Sequence, residues 1–382
     1  MDRRQFGLGL LGFGVAAGCA RAQVPAPAVH GLVGEILRET GAPALGGVVV
    51  TPEGTPWLEA GGLRRADQAV QVTPQDPWHL GSNTKAMTAA VYGRLVEQGR
   101  ARWGATVAEL FPGLTADPAW RQATIEALLA HRAGVSDRDA LGGTWLMAAH
   151  ADKRPLQAQR RALAEKVLAA PPTGKPGAFE YSNANYILAG AAIEAITGEA
   201  WETVIQRELF EPLAMKSAGF GAPAGEAPWG HTPPPFGVES MGGRPVDPKG
   251  IADNPAALGP AGTAHASLGD YASFLRLFIT EGAGLLQPAT IARLTAPWGE
   301  GEPAYALGWG VVDNAPWSKT RALLHNGSNT MWFATAIVIP ERRIAVAAVS
   351  NDAGKTRGEK ACRTLASRLL QEHAADWARG PA

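Results

Sequence analysis

The stretch "HLGSNTKAMTAA" (79–90) sets a serine and a lysine three residues apart at the start of a helical pattern. Residues three apart share a helix face, which brings Lys85 within reach of the Ser82 hydroxyl. A serine hydroxyl is a weak nucleophile at neutral pH, and a neighbouring base activates it. A lysine can be that base once burial or nearby cations lower its pKa. The helix N-terminus would favour negative charge developing beside Ser82. Ser82–Lys85 is the only S-x-x-K in the chain. Taken alone, the pattern also fits two polar residues on a solvated turn.

Two further elements bear on that choice. In "FEYSNANYILAG" (179–190), Tyr181 and Asn183 flank Ser182 just before an apolar helical run. A phenol can shuttle protons, and an amide can bind a substrate carbonyl or the lysine. A turn tyrosine followed by an N-cap asparagine would give the same letters. In "LLHNGSN" (323–329), His325-x-Gly327 runs off a predicted strand. Gly327 would let a substrate backbone approach closely. The Ser328 amide could join that of Ser82 in holding an oxyanion. An ordinary histidine titrates near pH 6.5, so a protonated His325 would be a pH-dependent anchor for a substrate carboxylate. His79-Leu80-Gly81 repeats His-x-Gly, but it abuts the serine and cannot form a separate wall.

The elements that must position these residues follow from periodicity. "GGVVVTPEG" and "TPWLEAGGL" (46–63) read as two strands around a turn. Met87, Val91 and Leu95 share one face of the helix that begins at Ser82, and Gly99 would stop it. Residues 105–215 are mostly helical in pattern, with helices expected at 124–131, 156–170, 185–198 and 201–213. Residues 218–262 are rich in Gly and Pro without clear periodicity, and loops that long are often functional. Ser267 and Asp270 are spaced as a capping-box variant for a helix over 267–279. Strands are expected at 305–313, 321–327, 332–340 and 343–351, then a final helix over about 355–377. Strands at both chain ends predict one sheet built from both termini.

Composition bounds the function. The chain has 382 residues, 46% hydrophobic and 18% charged, with a formal net charge of zero. That is ordinary globular composition, and no charge excess calls for nucleic acid or an anionic surface. Residues 1–22 read as an export signal peptide: Arg3 and Arg4, an apolar run from Phe6 to Gly18, and a small-x-small site at Ala20–Ala22. The apolar run is too short for a stable membrane span. Arg3-Arg4-Gln5-Phe6 resembles a twin-arginine signal, which points to a periplasmic location. Lipidation at Cys19 is the weaker alternative. With Cys19 in the leader, Cys362 is the one remaining thiol. No His/Asp/Glu cluster has ligand spacing, so neither a metal nor another cofactor is expected.

Ser-x-x-Lys, Tyr-x-Asn and His-x-Gly, in this order, resemble the serine β-lactamase and penicillin-binding superfamily. Tyr-x-Asn as the second motif is similar to the branch of class C β-lactamases, D-Ala-D-Ala carboxypeptidases and family VIII esterases. "ALLAHRAGV" and "ALGPAGTAHASLGDYASFLRLF" also look like family blocks, and the likeness covers nearly all of residues 23–382. The resemblance implies an α+β, β-lactamase/transpeptidase-like fold in a single catalytic domain. An α/β lobe would come from about 28–82 and 300–380, and a mostly helical lobe from about 100–280. It implies Ser82 as the acylated nucleophile, with Lys85 and Tyr181 sharing general-base and general-acid duty. Asn183 would orient Lys85 and the substrate. His325, Gly327 and Ser328 would line the substrate site. His325 stands where class C β-lactamases usually carry lysine, which removes a permanent cation and favours peptidase or esterase members. His131 reads as structural.

The expected activity is therefore that of a serine hydrolase acting on a small molecule or peptide with an ester or amide bond. A class C type β-lactamase and a catalytically weak penicillin-binding-like protein are the alternatives. A non-enzymatic scaffold would need none of Ser82, Lys85, Tyr181 and Asn183. A periplasmic ligand-binding protein would need a two-lobed βα repeat, and none is visible.

Overall fold

The computed structural model describes residues 30–233, 242–315 and 318–374. The expected leader over 1–22, including Cys19, lies outside the described residues. Among the described residues the strands are β1 Ala44–Thr51, β2 Gly54–Gly62, β3 Trp78–His79, β4 Gly219–Phe220, β5 Ala264–Ala266, β6 Gly310–Val312, β7 Ala322–Ser328, β8 Phe333–Ile339 and β9 Ile344–Ser350. Six form one antiparallel sheet in the order β2-β1-β9-β8-β7-β6, so the N-terminal hairpin joins the C-terminal meander through β1 and β9. That is the sheet from both chain ends that the sequence predicts.

Both faces of this sheet are covered. In β9, Ile344, Val346 and Ala348 face the helices Gly31–Thr40 and Gly358–Ala374, while Ala345, Ala347 and Val349 face the larger core of the helical lobe. Alternate side chains of a strand point to opposite faces, so a strand buried on both reads as a continuous apolar run. Helix Thr84–Glu97 is buried nearly all round, beyond the single face formed by Met87, Val91 and Leu95. Among the described residues no helix is long and apolar enough to cross a membrane.

Three local expectations change. Only Gly310–Val312 of 305–313 is strand: residues 306–309 make a tight turn, with the Ala306 amide bonded to the Trp309 carbonyl. That turn brings Tyr305 back beside the sheet. The helix expected over 201–213 is α-helical at Trp201–Ile205 and continues as a π-helical turn over Gln206–Phe210. Ser267 does cap helix Leu268–Arg276, accepting from the Asp270 amide at 3.2 Å. The Asp270 carboxylate does not return to the cap. It accepts instead from the Ser217 amide and hydroxyl, each at 2.6 Å.

Candidate active site

Ser82 lies in a 3₁₀ turn, Gly81–Asn83, that runs into helix Thr84–Glu97. Lys85 is fully buried, which removes the solvated-turn reading of Ser-x-x-Lys. Its Nζ is 3.0 Å from Ser82 Oγ, 2.8 Å from Asn183 Oδ1 and 2.7 Å from the Ala261 carbonyl. Two of these three neighbours are oxygens that can only accept. A neutral amine has two N–H bonds and one lone pair. Given to Asn183 and Ala261, the two N–H bonds leave the lone pair facing the serine hydroxyl. Burial lowers the lysine pKa to about 7, against an opposing pull from the Asp137 charge. The arrangement can therefore take a proton from Ser82 near neutral pH.

Asp137 fixes that arrangement, and no spacing rule singles it out in the sequence. Its Oδ2 accepts from the Asn183 side-chain amide and backbone N–H, both at 2.9 Å. Its Oδ1 accepts from the Ser182 hydroxyl at 2.7 Å and the Ala184 amide at 2.9 Å. A carboxylate 45 to 47 residues away in sequence thus caps helix Asn183–Thr197, whose own N-cap, Ser182, makes no side-chain cap bond. Because Asn183 must give its N–H₂ to Asp137, its oxygen is turned toward Lys85.

Desolvation pushes the Tyr181 phenol pKa upward, against an opposing pull from the neighbouring Ser82 hydroxyl. The phenol is therefore protonated at neutral pH, fit to donate a proton and unfit to start as a base. Its ring lies under the Lys85 ammonium position, with Nζ 4.8 Å from the centroid. His131, expected to be structural, reaches this group. Its Nδ1 accepts from the Ser182 amide at 3.2 Å, and its ring packs on Tyr181 with centroids 4.3 Å apart. His131 thereby orients the Tyr-x-Asn segment from behind.

His325 is a correction. Its Nδ1 lies 2.8 Å from the Asn326 carbonyl, and its Nε2 lies 2.9 Å from the Tyr305 hydroxyl. The first neighbour only accepts, so Nδ1 carries the proton and Nε2 accepts from the phenol. Burial lowers the pKa to about 3, helped by the charge on Lys85. The imidazole is neutral across the physiological range, so the expected titratable carboxylate anchor is not there. At Gly327 the close backbone approach is made within the protein itself. A Cβ on Gly327 would overlap the Leu80 carbonyl, and one on Gly81 (φ +53°) would overlap the Ser328 amide nitrogen. The space a side chain would fill there is taken by the protein's own backbone. The two glycines bring the turn of Ser82 against the end of β7, which places the Ser82 and Ser328 amides side by side.

A cavity of about 380 Å³ opens at this junction, lined among others by Ser82, Asn183, Ser328, Asp137, Arg138 and Leu146. Among the described residues no three His, Cys, Asp or Glu side chains gather as a metal-holding cluster.

An antiparallel sheet backed by helices, with a serine, a lysine, a tyrosine and an asparagine meeting beside a helical lobe, defines a β-lactamase/transpeptidase-like protein. The Beta-lactamase family model matches residues 31–371, and the chain belongs to that family. It is 28% identical over 344 residues to the Unguisins hydrolase ungD of Aspergillus violaceofuscus, with 80% of this chain and 57% of that protein covered. The chain thus spans little more than half the length of that relative. The octameric penicillin-binding protein homologue from Pyrococcus abyssi superposes with a TM-score of 0.70 at 23% identity, over 88% of this chain and 75% of that one. A D-stereospecific amidohydrolase from Streptomyces sp. superposes with a TM-score of 0.66 at 20% identity, over 86% and 97%.

Proposed function

We propose that this protein is an exported serine hydrolase, peptidase- or esterase-like, that cleaves an ester or amide bond through an acyl-enzyme on Ser82. The observation that carries the reading is the buried Lys85 amine, 3.0 Å from Ser82 Oγ with two acceptor-only oxygens on its other sides. In acylation, Ser82 Oγ attacks the carbonyl carbon and passes its proton to Lys85. The substrate oxygen takes up negative charge between the Ser82 and Ser328 amides. The Tyr181 phenol gives its proton to the leaving oxygen or nitrogen and regains one from the Lys85 ammonium. Water repeats the steps on the acyl-enzyme, giving the acid and restoring Ser82. The family's hydrolase relatives support this reading. A β-lactam is the second reading, favoured by Arg138: a substrate carboxylate would meet that guanidinium at the cavity wall, in place of the charge missing at His325.

The mouth of the cavity points to an apolar acyl part. Helix Gly143–Ala151 has the sequence GTWLMAAHA, yet none of its residues is buried. Leu146 lines the cavity together with Leu141 and Leu258, and Met147 beside it is 78% exposed. Apolar surface left open at a site mouth is covered when an apolar group binds there. Hydrolysis of p-nitrophenyl hexanoate should therefore exceed that of the acetate in kcat/KM. Leu146→Asp should lower the hexanoate value about tenfold and leave the acetate value near wild type. A chain-length profile that is flat, or unchanged by Leu146→Asp, would remove the apolar acyl site.

Export is proposed from the leader alone. Mass spectrometry of secreted protein should find an N-terminus at Gln23, and a retained Met1 would contradict it.

A further inference from the structure

Behind the cavity, a second histidine uses both ring nitrogens. His79 is buried, and its Nδ1 accepts from the Gly81 amide at 3.1 Å. Its proton therefore sits on Nε2, which donates to Asp253 Oδ2 at 2.9 Å. The other oxygen of that carboxylate, Oδ1, accepts from the Asn329 side-chain amide at 2.9 Å and from the Asn254 backbone at 2.7 Å. Asn329 Oδ1 in turn accepts from the Met331 and Trp332 amides at 3.1 and 3.2 Å. The Trp332 ring stacks on His79 with centroids 5.6 Å apart, closing the circuit.

The two ends of this circuit are significant. His79 holds the amide of Gly81, the residue before Ser82. Asn329 is the residue after Ser328. Asp253, from the long Gly- and Pro-rich stretch, is the post to which both are tied. We propose that His79, Asp253 and Asn329 are positioning residues for the oxyanion pocket, fixing the spacing between the Ser82 and Ser328 amides. The proposal rests on the Ser82 reading above, and it assigns Asp253 a role in the chemistry without contact to substrate.

The chemistry of the post is specific. All three groups aimed at Asp253 are N–H donors, so only an acceptor on both sides satisfies them. An asparagine there would turn its N–H₂ toward one of those donors. His79 cannot relieve the clash by moving its proton to Nδ1, because the Gly81 N–H occupies that side. An isosteric change should therefore loosen the pocket while leaving the cavity wall in place.

The test compares wild type with Asp253→Asn in p-nitrophenyl ester hydrolysis and in inhibition by an arylboronic acid. The boronate forms a tetrahedral anion on Ser82 and reads the oxyanion pocket directly. The variant should lose about 10²-fold in kcat, with KM within about threefold of wild type. Boronate affinity should fall by a similar factor. A rate loss with unchanged boronate affinity, a loss expressed in KM, or wild-type rates would each overturn the proposal. If Asp253→Asn gives no cooperative thermal transition, the double variant His79→Ala, Asp253→Ala removes donor and acceptor together and is read by the same criteria. Ser82→Ala is the control. Hydrolysis that survives in it means the nucleophile assignment has failed, not the positioning one.

Discussion

Replacing Ser82 with alanine should lower hydrolysis by about 10⁴-fold or more, to whatever the oxyanion pocket and binding give alone. The expectation follows from the site as a unit. Of the three hydrogen-bond partners of the Lys85 amine, Ser82 is the one hydroxyl, and the other two are carbonyl oxygens. The same change should end covalent labelling. A fluorophosphonate, a penicillin and a p-nitrophenyl ester, each followed by intact mass and peptide mapping, should modify one residue in wild type and none in Ser82→Ala. The ester and penicillin arms also separate the two readings of substrate. Penicillin that acylates and is released slowly, beside rapid ester turnover, fits a hydrolase of another acyl donor. Label that persists in Ser82→Ala would move the nucleophile elsewhere.

Lys85→Arg should be nearly as damaging, by about 10³-fold, although it keeps a cation and several N–H donors. A guanidinium does not lose its proton in the accessible pH range, so it has no lone pair to offer Ser82. The wild-type pH profile checks the same point. Burial lowers the Lys85 pKa from about 10.5 to about 7. Below that value the group is an ammonium, and kcat/KM should fall about tenfold per pH unit. Above it the amine is neutral and the rate should level off. His325 adds no step near neutrality, because it takes up a second proton only near pH 3. A profile flat from about pH 5.5 to 8.5, or a fully active Lys85→Arg, would take Lys85 out of the base role.

Much of this molecule can be read without coordinates. Continuous apolar runs at 46–50 and 344–349 are what a strand covered on both faces requires, and period-2 alternation sorts β9 between two cores. The i, i+3 spacing of Ser82 and Lys85 brings them together on one helical turn whatever surrounds it. Order and spacing of the three motifs place the chain in its family. These features are local, or depend on one period, so the sequence determines them by itself.

What the sequence does not determine comes from contacts between distant segments. The basicity of Lys85 depends on burial and on the Ala261 carbonyl, 176 residues away. The orientation of Asn183 depends on Asp137, whose four donors all come from residues 182–184. His325 looks like a titratable anchor in sequence, but Tyr305 and burial make it a neutral strut. That Gly327 lies against the turn of Ser82 depends on how β7 packs on residues 80–82. Spacing along the chain gives which side chains share a local face. Desolvation, tautomer and the direction of each lone pair are decided by what packs on the other side, and that only the tertiary structure supplies.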